Sequence, residues 1–341
     1  MPSEPARARE RHGAQMPRRP GPPSPVQLSA TPPPTLVYAR EHLKSEIDAL
    51  VRTGELTRVR RGAYLPTTVL DGAPPHARRR LEQLARVLAV GTQLPSAVVS
   101  HASAALWWGL PLVRGSSGAV HVRQPHRPGA RRAKDIHRHG HELPDAHVSE
   151  HRGVAVTTLE RTVVDCAMTM PTESALILAD AALHGGANLP ECQEILRSLG
   201  SRRGTARARA ILEFADGGAE SPGETRSRLL TLRAGLPRPV TQVPVVLPWV
   251  TYWADLGWPE HRLLVEYDGT AKYTANGTAA EAVLREKRRE EEIIEAGYRV
   301  VRVIRDDLSS VAHLGARLRQ LADFGPPVRR RALNTVPRSR S

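Results

Sequence analysis

Apolar and polar positions change rhythm along this chain, and the changes divide it. Residues 1–34 carry almost nothing apolar, with Pro17-Arg18-Arg19-Pro20 and Pro32-Pro33-Pro34 in place of any period. Such a segment buries too little surface to offset its ordering entropy, so a disordered basic arm is expected. The tail, 325–341, with Arg329-Arg330-Arg331, reads the same way. Within 35–70, Ile47, Leu50 and Val51 recur at helical spacing and stop at Gly54. Glu55–Tyr64 then reads as a β-hairpin with Gly62 at its bend. Residues 75–216 are expected to be mainly helical. Ala97–Leu110 is apolar nearly all round and should be buried. Short strands are expected at Ala119–Arg123, Asp135–His139 and Gly153–Val156. A capping box at Thr157–Glu160 opens a helix through Met170. Further helices are expected near Ser174–His184, Pro190–Leu199 and Arg202–Asp216, with a domain boundary at Gly217-Gly218.

From 219 to 324 the pattern alternates helix and strand. Ser221 as cap, Pro222 in the first turn and Glu224 completing a capping box predict a helix to Gly235. Strands follow at Val240–Val246, Thr251–Trp258 and Arg262–Gly269. A hairpin centred between Glu260 and His261 sets Asp255 opposite Glu266 and Trp253 opposite Asp268, and cross-strand partners share a face. One face then carries Asp255, Glu266 and Asp268, and the other Ala254, Leu256, Trp258, Leu263, Val265 and Tyr267. Three carboxylates on one face need neutralising, and a hard divalent cation such as Mg²⁺ (or Mn²⁺) is the usual partner. The next helix, Thr278–Ala296, shows Val283, Ile293 and Ile294 as its buried stripe, with Glu286, Lys287 and Glu290 on or beside it. Tyr298–Ile304 is a near-continuous β-branched run, as in a strand covered on both faces, and a last helix runs to about Ala322.

The chain has 341 residues, enough for two or three domains. Its richness in Ala, Arg and Pro resembles the coding bias of a GC-rich genome, which discounts single Arg-rich stretches. The net charge of +14 survives that discount and points to a polyanion, nucleic acid first. No apolar run approaches a membrane span, and the N-terminus lacks a signal-peptide core. Cys166 and Cys192 make neither a disulfide framework nor a zinc spacing, so a cytoplasmic protein is expected.

A helix followed at once by a basic hairpin is the layout of a winged helix. Lys44 and Arg52 on the helix, and Arg58, Arg60 and Arg61 on the hairpin, are then candidate DNA contacts. A small α/β cap with a solvated charged hairpin fits the same spacing. His137, His139 and His141 alternate and could share a strand face. Closed zinc sites draw ligands from separate elements, so a basic, partly protonated surface strip is expected there rather than a metal.

Asp255, Glu266-Tyr-Asp268-Gly269, Glu286-Lys-Arg-Arg-Glu290 and Gly297-Tyr-Arg-Val-Val-Arg-Val, in that order of elements, resemble the PD-(D/E)XK nuclease superfamily. Within it the chain is similar to a bacterial family of unknown function related to the very-short-patch-repair (Vsr) endonucleases. The resemblance implies a restriction-endonuclease-like α/β/α domain over 219–324 and phosphodiester hydrolysis in phage defence or DNA repair. Asp255 and Glu266 would be Mg²⁺ ligands, with Glu224, or less favourably Glu220, as accessory acid. The superfamily's lysine is Asp268 here, which leaves Lys272 or Lys287 as stand-ins. Leu50–Tyr64, Ser100-His-Ala-Ser-Ala-Ala-Leu106 and Thr158-Leu-Glu-Arg-Thr-Val-Val-Asp165 resemble the AbiEi-type antitoxins, which are winged-helix repressors. That resemblance implies DNA and a cognate toxin as partners. The expected class is therefore α/β multidomain. Its function is that of a Mg²⁺-dependent endonuclease or, alternatively, of an antitoxin-type regulator carrying an inactive nuclease-like domain.

Overall fold

The computed structural model describes residues 32–113, 118–124, 133–140, 142–269 and 279–328. The chain is mixed α/β, with ten α-helices and three sheets among those residues. None of the described helices is long and apolar enough to cross a membrane.

The first unit is small. Strands β1 (Val37–Tyr38), β2 (Leu56–Arg60) and β3 (Ala63–Pro66) form an antiparallel sheet, with helix α1 (Lys44–Arg52) ahead of the β2–β3 hairpin. A register shift between Arg58 and Arg60 bends the hairpin. Of the expected helical stripe, Ile47 is buried and Val51 is exposed. Leu65 and Leu70 pack against Ala85 of helix α2 (Pro75–Gln93), which joins this unit to the next. Pro34, at the end of the expected disordered arm, is buried.

The middle region contains more strand than the hydrophobic pattern predicts. Strands β4 (Val98–Val99), β5 (Val120–Arg123), β6 (Ile136–His139), β7 (Val148–His151) and β8 (Val154–Thr157) form a five-stranded sheet in the order β6-β5-β4-β8-β7. The apolar segment 97–110 is buried as expected but is not one element. Its β-branched Val98-Val99 pair enters the sheet, and helix α3 (His101–Trp107) begins only after a break at His101, whose φ is 53°. Four helices follow: α4 (Leu159–Thr169), α5 (Thr172–His184), α6 (Leu189–Ser198) and α7 (Thr205–Phe214). The cap of α4 is Thr158, whose hydroxyl accepts from Arg161 N, and not Thr157, which ends β8.

The expected boundary at Gly217-Gly218 is tightly packed. Asp216 Oδ1 accepts from Gly218 N at 3.0 Å and from the Thr241 hydroxyl at 2.9 Å. A Cβ at Gly218 would collide with the Thr241 side chain, so only glycine fits this approach. Helix α8 (Pro222–Arg233) serves two cores at once. Leu229 and Leu232 pack with α4 and α5, whereas Leu230 packs beneath the last sheet. Arg228 of α8 pairs with Asp180 of α5 at 2.6 Å, both inaccessible, and Thr225 donates to the same carboxylate.

Strands β9 (Val240–Val246), β10 (Thr251–Trp258), β11 (Leu263–Tyr267) and β12 (Arg299–Val303) form the last sheet, in the order β12-β11-β10-β9, with β12 parallel to β11. Helices α8 and α10 (Val311–Leu321) cover one face through Leu230, Leu314 and Leu318, and α9 (Ala279–Glu295) covers the other through Ile293. The hairpin register is the expected one, with Leu256 opposite Val265 and Trp258 opposite Leu263. Ala254 departs from the expected apolar face. It packs with Val243, Val245, Leu264 and Ile293, on the α9 side. The alternation breaks at Asp255, whose side chain turns to the Tyr267 N–H, and beside it Gln242 of β9 takes a φ of 50° with the register unchanged on either side. On α9, Ile294 is exposed, so the buried stripe narrows to Ile293. The side chain of Val283 lies outside the described residues.

Candidate functional site

Two polar clusters stand out, one in each of the larger regions. In the last sheet, Asp255 and Glu266 meet at the crossing the hairpin dictates. Asp255 Oδ2 accepts from the backbone N–H of Tyr267 at 2.7 Å. Tyr267 itself lies against Gly223, where a Cβ would strike its ring, so the start of α8 sits close to this end of β11. Both oxygens of Glu266 accept from Arg289 of α9, at 2.5 and 3.3 Å. Arg289 also donates to Glu286 Oε1 at 3.1 Å and to the carbonyl of Trp253 at 3.2 Å. Arg302 extends the network to Glu286 and Glu290, both at 2.9 Å. Glu286 and Glu290 therefore do face polar partners, but Lys287 is 72% exposed and, among the described residues, pairs with Glu291. Burial, with Asp255 and Glu286 nearby, raises the Glu266 carboxyl from its ordinary value, and Arg289 opposes that rise. Arg289 is itself held above the usual arginine value, because Glu266 and Glu286 outweigh the effect of its burial.

A hard cation asks for carboxylate oxygens with lone pairs turned towards it. Here Asp255 Oδ2 and both oxygens of Glu266 are already engaged, and the neutralising charge on this face is a guanidinium. As arranged, the donor set does not fit Mg²⁺. Asp268 continues the strand pairing through its N–H to Val303 O. Glu224 Oε2 accepts from Glu220 N at 2.8 Å, so both proposed accessory acids take part in the cap of α8. Lys272 lies outside the described residues.

Among the expected DNA contacts, Lys44, Arg52, Arg58 and Arg61 are exposed on α1 and the hairpin. Arg60 turns inward. It pairs with Asp135 at 2.9 Å and is only 13% exposed, so it ties the hairpin to the five-stranded sheet.

The second cluster was only partly visible in the sequence. His139 does not lie on a protonated surface strip. It belongs to a group with His101 and His121 whose ligand atoms all lie within 4.8 Å of one another. His121 Nδ1 is 3.0 Å from His139 Nε2, and the His101 and His139 rings stack at 3.5 Å. His137 stacks on His121 at 4.9 Å, and His141 lies outside the described residues. Burial lowers His101 to about 3, and burial with the mutual repulsion of the imidazoles lowers His121 and His139 to about 4. At neutral pH these three rings are therefore uncharged. Beneath them Asp165 of α4 accepts from Arg123 at 2.7 Å and from Arg161 at 3.0 Å, all three buried. The sequence signal for this site was the alternation His121, Arg123 on β5 beside His137, His139 on β6, which puts four basic side chains on one sheet face.

No family model matches the chain. Two uncharacterized proteins of Mycobacterium tuberculosis, MT2308 and Rv2248, are each 28% identical to it over 284 residues, spanning 82% of this chain and 97% of their own length. Among solved structures, the RV2827C protein of the same organism aligns over 60% of this chain and 78% of its own, at 15% identity and a TM-score of 0.34.

Proposed function

We propose that this protein binds DNA as an antitoxin-type regulator and that its carboxy-terminal domain is a nuclease-like scaffold that does not cut. The observation that carries this reading is the Arg289 clamp, which engages both oxygens of Glu266 and supplies the positive charge a divalent ion would otherwise bring. The absence of a lysine at position 268 supports it, since the site then lacks the usual group for orienting a nucleophile. The exposed Lys44, Arg52, Arg58 and Arg61, with a net charge of +14, support the binding half. By its resemblance the protein would act with a cognate toxin.

A cutting enzyme is favoured by one observation, the closeness of Asp255 to Glu266 at the end of the β10–β11 ladder, which brings two acids together wherever Arg289 is displaced. Incubation of supercoiled plasmid with the full chain, with and without Mg²⁺ or Mn²⁺, separates the two. The regulator reading expects a gel shift at low salt and no nicking above the background of Glu266→Ala. Metal-dependent nicking by the wild type that Glu266→Ala abolishes would overturn it.

A further inference from the structure

Three imidazoles from three separate elements converge in the middle region: His101 at the start of α3, His121 on β5 and His139 on β6. We propose that they form a zinc site. The separation of His121 Nδ1 from His139 Nε2, 3.0 Å, is close to the roughly 3.3 Å between two nitrogens on a tetrahedral zinc with bonds of about 2.05 Å. Without a metal, one of these facing nitrogens must carry a proton to hold the other; with one, both lone pairs point at the ion. His101, whose ring stacks on that of His139 at 3.5 Å, completes a ligand set drawn from separate elements once its ring turns to aim a nitrogen at the ion.

The surroundings hold the ligands in the required form. Ser100 Oγ lies 3.0 Å from His101 Nδ1, and Asp165 Oδ2 lies 3.7 Å from the same nitrogen. The nearby Asp165 carboxylate favours a proton on Nδ1, and that tautomer leaves Nε2 as the metal-binding atom. Asp165 is in turn fixed by Arg123 and Arg161, a buried frame that explains why a carboxylate with two arginine partners lies under a histidine cluster. The left-handed backbone of His101, at φ 53°, is a strained conformation for a non-glycine residue, and it opens the helix at the residue that delivers the ring. Neutral imidazole suits zinc better than Mg²⁺, whose preference is oxygen. Three histidines leave a fourth position for water or for a substrate atom.

The test uses the full chain stripped of metal and titrated with Co²⁺ and Zn²⁺. The visible bands of Co²⁺ report tetrahedral coordination, and Zn²⁺ competes them away. The proposal expects one Co²⁺ per chain and a rise in melting temperature with Zn²⁺. It expects a loss of affinity of roughly 100-fold or more in His121→Ala and in His139→Gln. His313→Ala should bind as the wild type does, and circular dichroism of each variant without metal checks that it folds. No Co²⁺ bands in the wild type, or stoichiometric binding kept by both folded histidine variants, would overturn the proposal.

Discussion

The acid face of the last sheet and the histidine cluster of the middle region solve the problem of crowded polar side chains in opposite ways. On the acid face the groups stay charged, and a guanidinium from α9 balances them. In the middle region the imidazoles are kept neutral by burial, and the charge is confined one layer down, to Asp165 and its two arginines. The first arrangement leaves few lone pairs for a cation, and the second leaves several. It follows that the more acidic site is not the better metal site, because what counts is the number of uncommitted lone pairs that converge.

Both sites hang on one frame, and the largest effect is expected there. Helix α8 joins the two regions through Arg228 and Asp180, a fully buried pair. Removing one partner strands a buried charge, so Arg228→Ala should cost about 3–5 kcal/mol in urea unfolding. A cost below about 1 kcal/mol would mean that the pair does not hold the regions together.

Next in size is Arg289→Ala, which leaves Glu266 and Glu286 without their shared donor. Glu266 is part-buried and Glu286 more exposed, so the expected loss is about 1–3 kcal/mol, less at high salt. Lys287→Ala on the same helix should be silent, its ion pair being exposed. Equal losses from the two variants would break the contrast between a clamp and a solvated pair.

The histidine cluster gives a pH signature of the opposite kind. Unfolded, the three imidazoles titrate near 6.5, whereas in the fold they sit at about 3 for His101 and about 4 for His121 and His139. Between those values the unfolded chain takes up protons that the folded chain refuses. Metal-free stability should therefore be full above pH 6.5 and fall as pH drops towards 4. Asp165 opposes these shifts for His101 and His139; Arg123 reinforces both, and His137 reinforces those of His121 and His139. Melting temperatures from pH 7 to 4.5 check the direction, and His121→Asn should flatten the profile. An unchanged slope in that variant would contradict the assignment.

The smallest effects are expected at the hairpin. Arg58→Ala and Arg61→Ala should each lower the slope of log binding constant against log salt by about 1, with little change in stability. Arg60→Ala should instead destabilise the fold, because its partner is Asp135 and not solvent. The same loss of slope from Arg60 as from its neighbours would contradict that division.

The acid face was legible in the sequence because its geometry is local. Two adjacent strands with a short turn fix their own register, so the pairing of Leu256 with Val265, which brings Asp255 near Glu266, followed from counting. Arg289 was not legible, since its reach onto Glu266 depends on how α9 lies across the sheet. The histidine site failed for a related reason. His101, His121 and His139 are brought together by a sheet whose strand order, β6-β5-β4-β8-β7, no short-range pattern announces. Strand β4 was hidden inside an apolar run whose helical and strand portions look alike until the break at His101. The packing at Gly217-Gly218 was not legible either. The sequence marks the pair as a boundary, and only the fold shows that Gly218 admits the close approach of Thr241.

The claim that matters most for function is that Arg289 closes the acid face to divalent ions. Mn²⁺ binding followed by electron paramagnetic resonance tests it most directly, comparing wild type, Arg289→Ala and the double variant Arg289→Ala/Glu266→Ala. The account predicts no Mn²⁺ at this face in the wild type, a new site in Arg289→Ala, and its loss in the double variant. Mn²⁺ bound by the wild type and released by Glu266→Ala would contradict it.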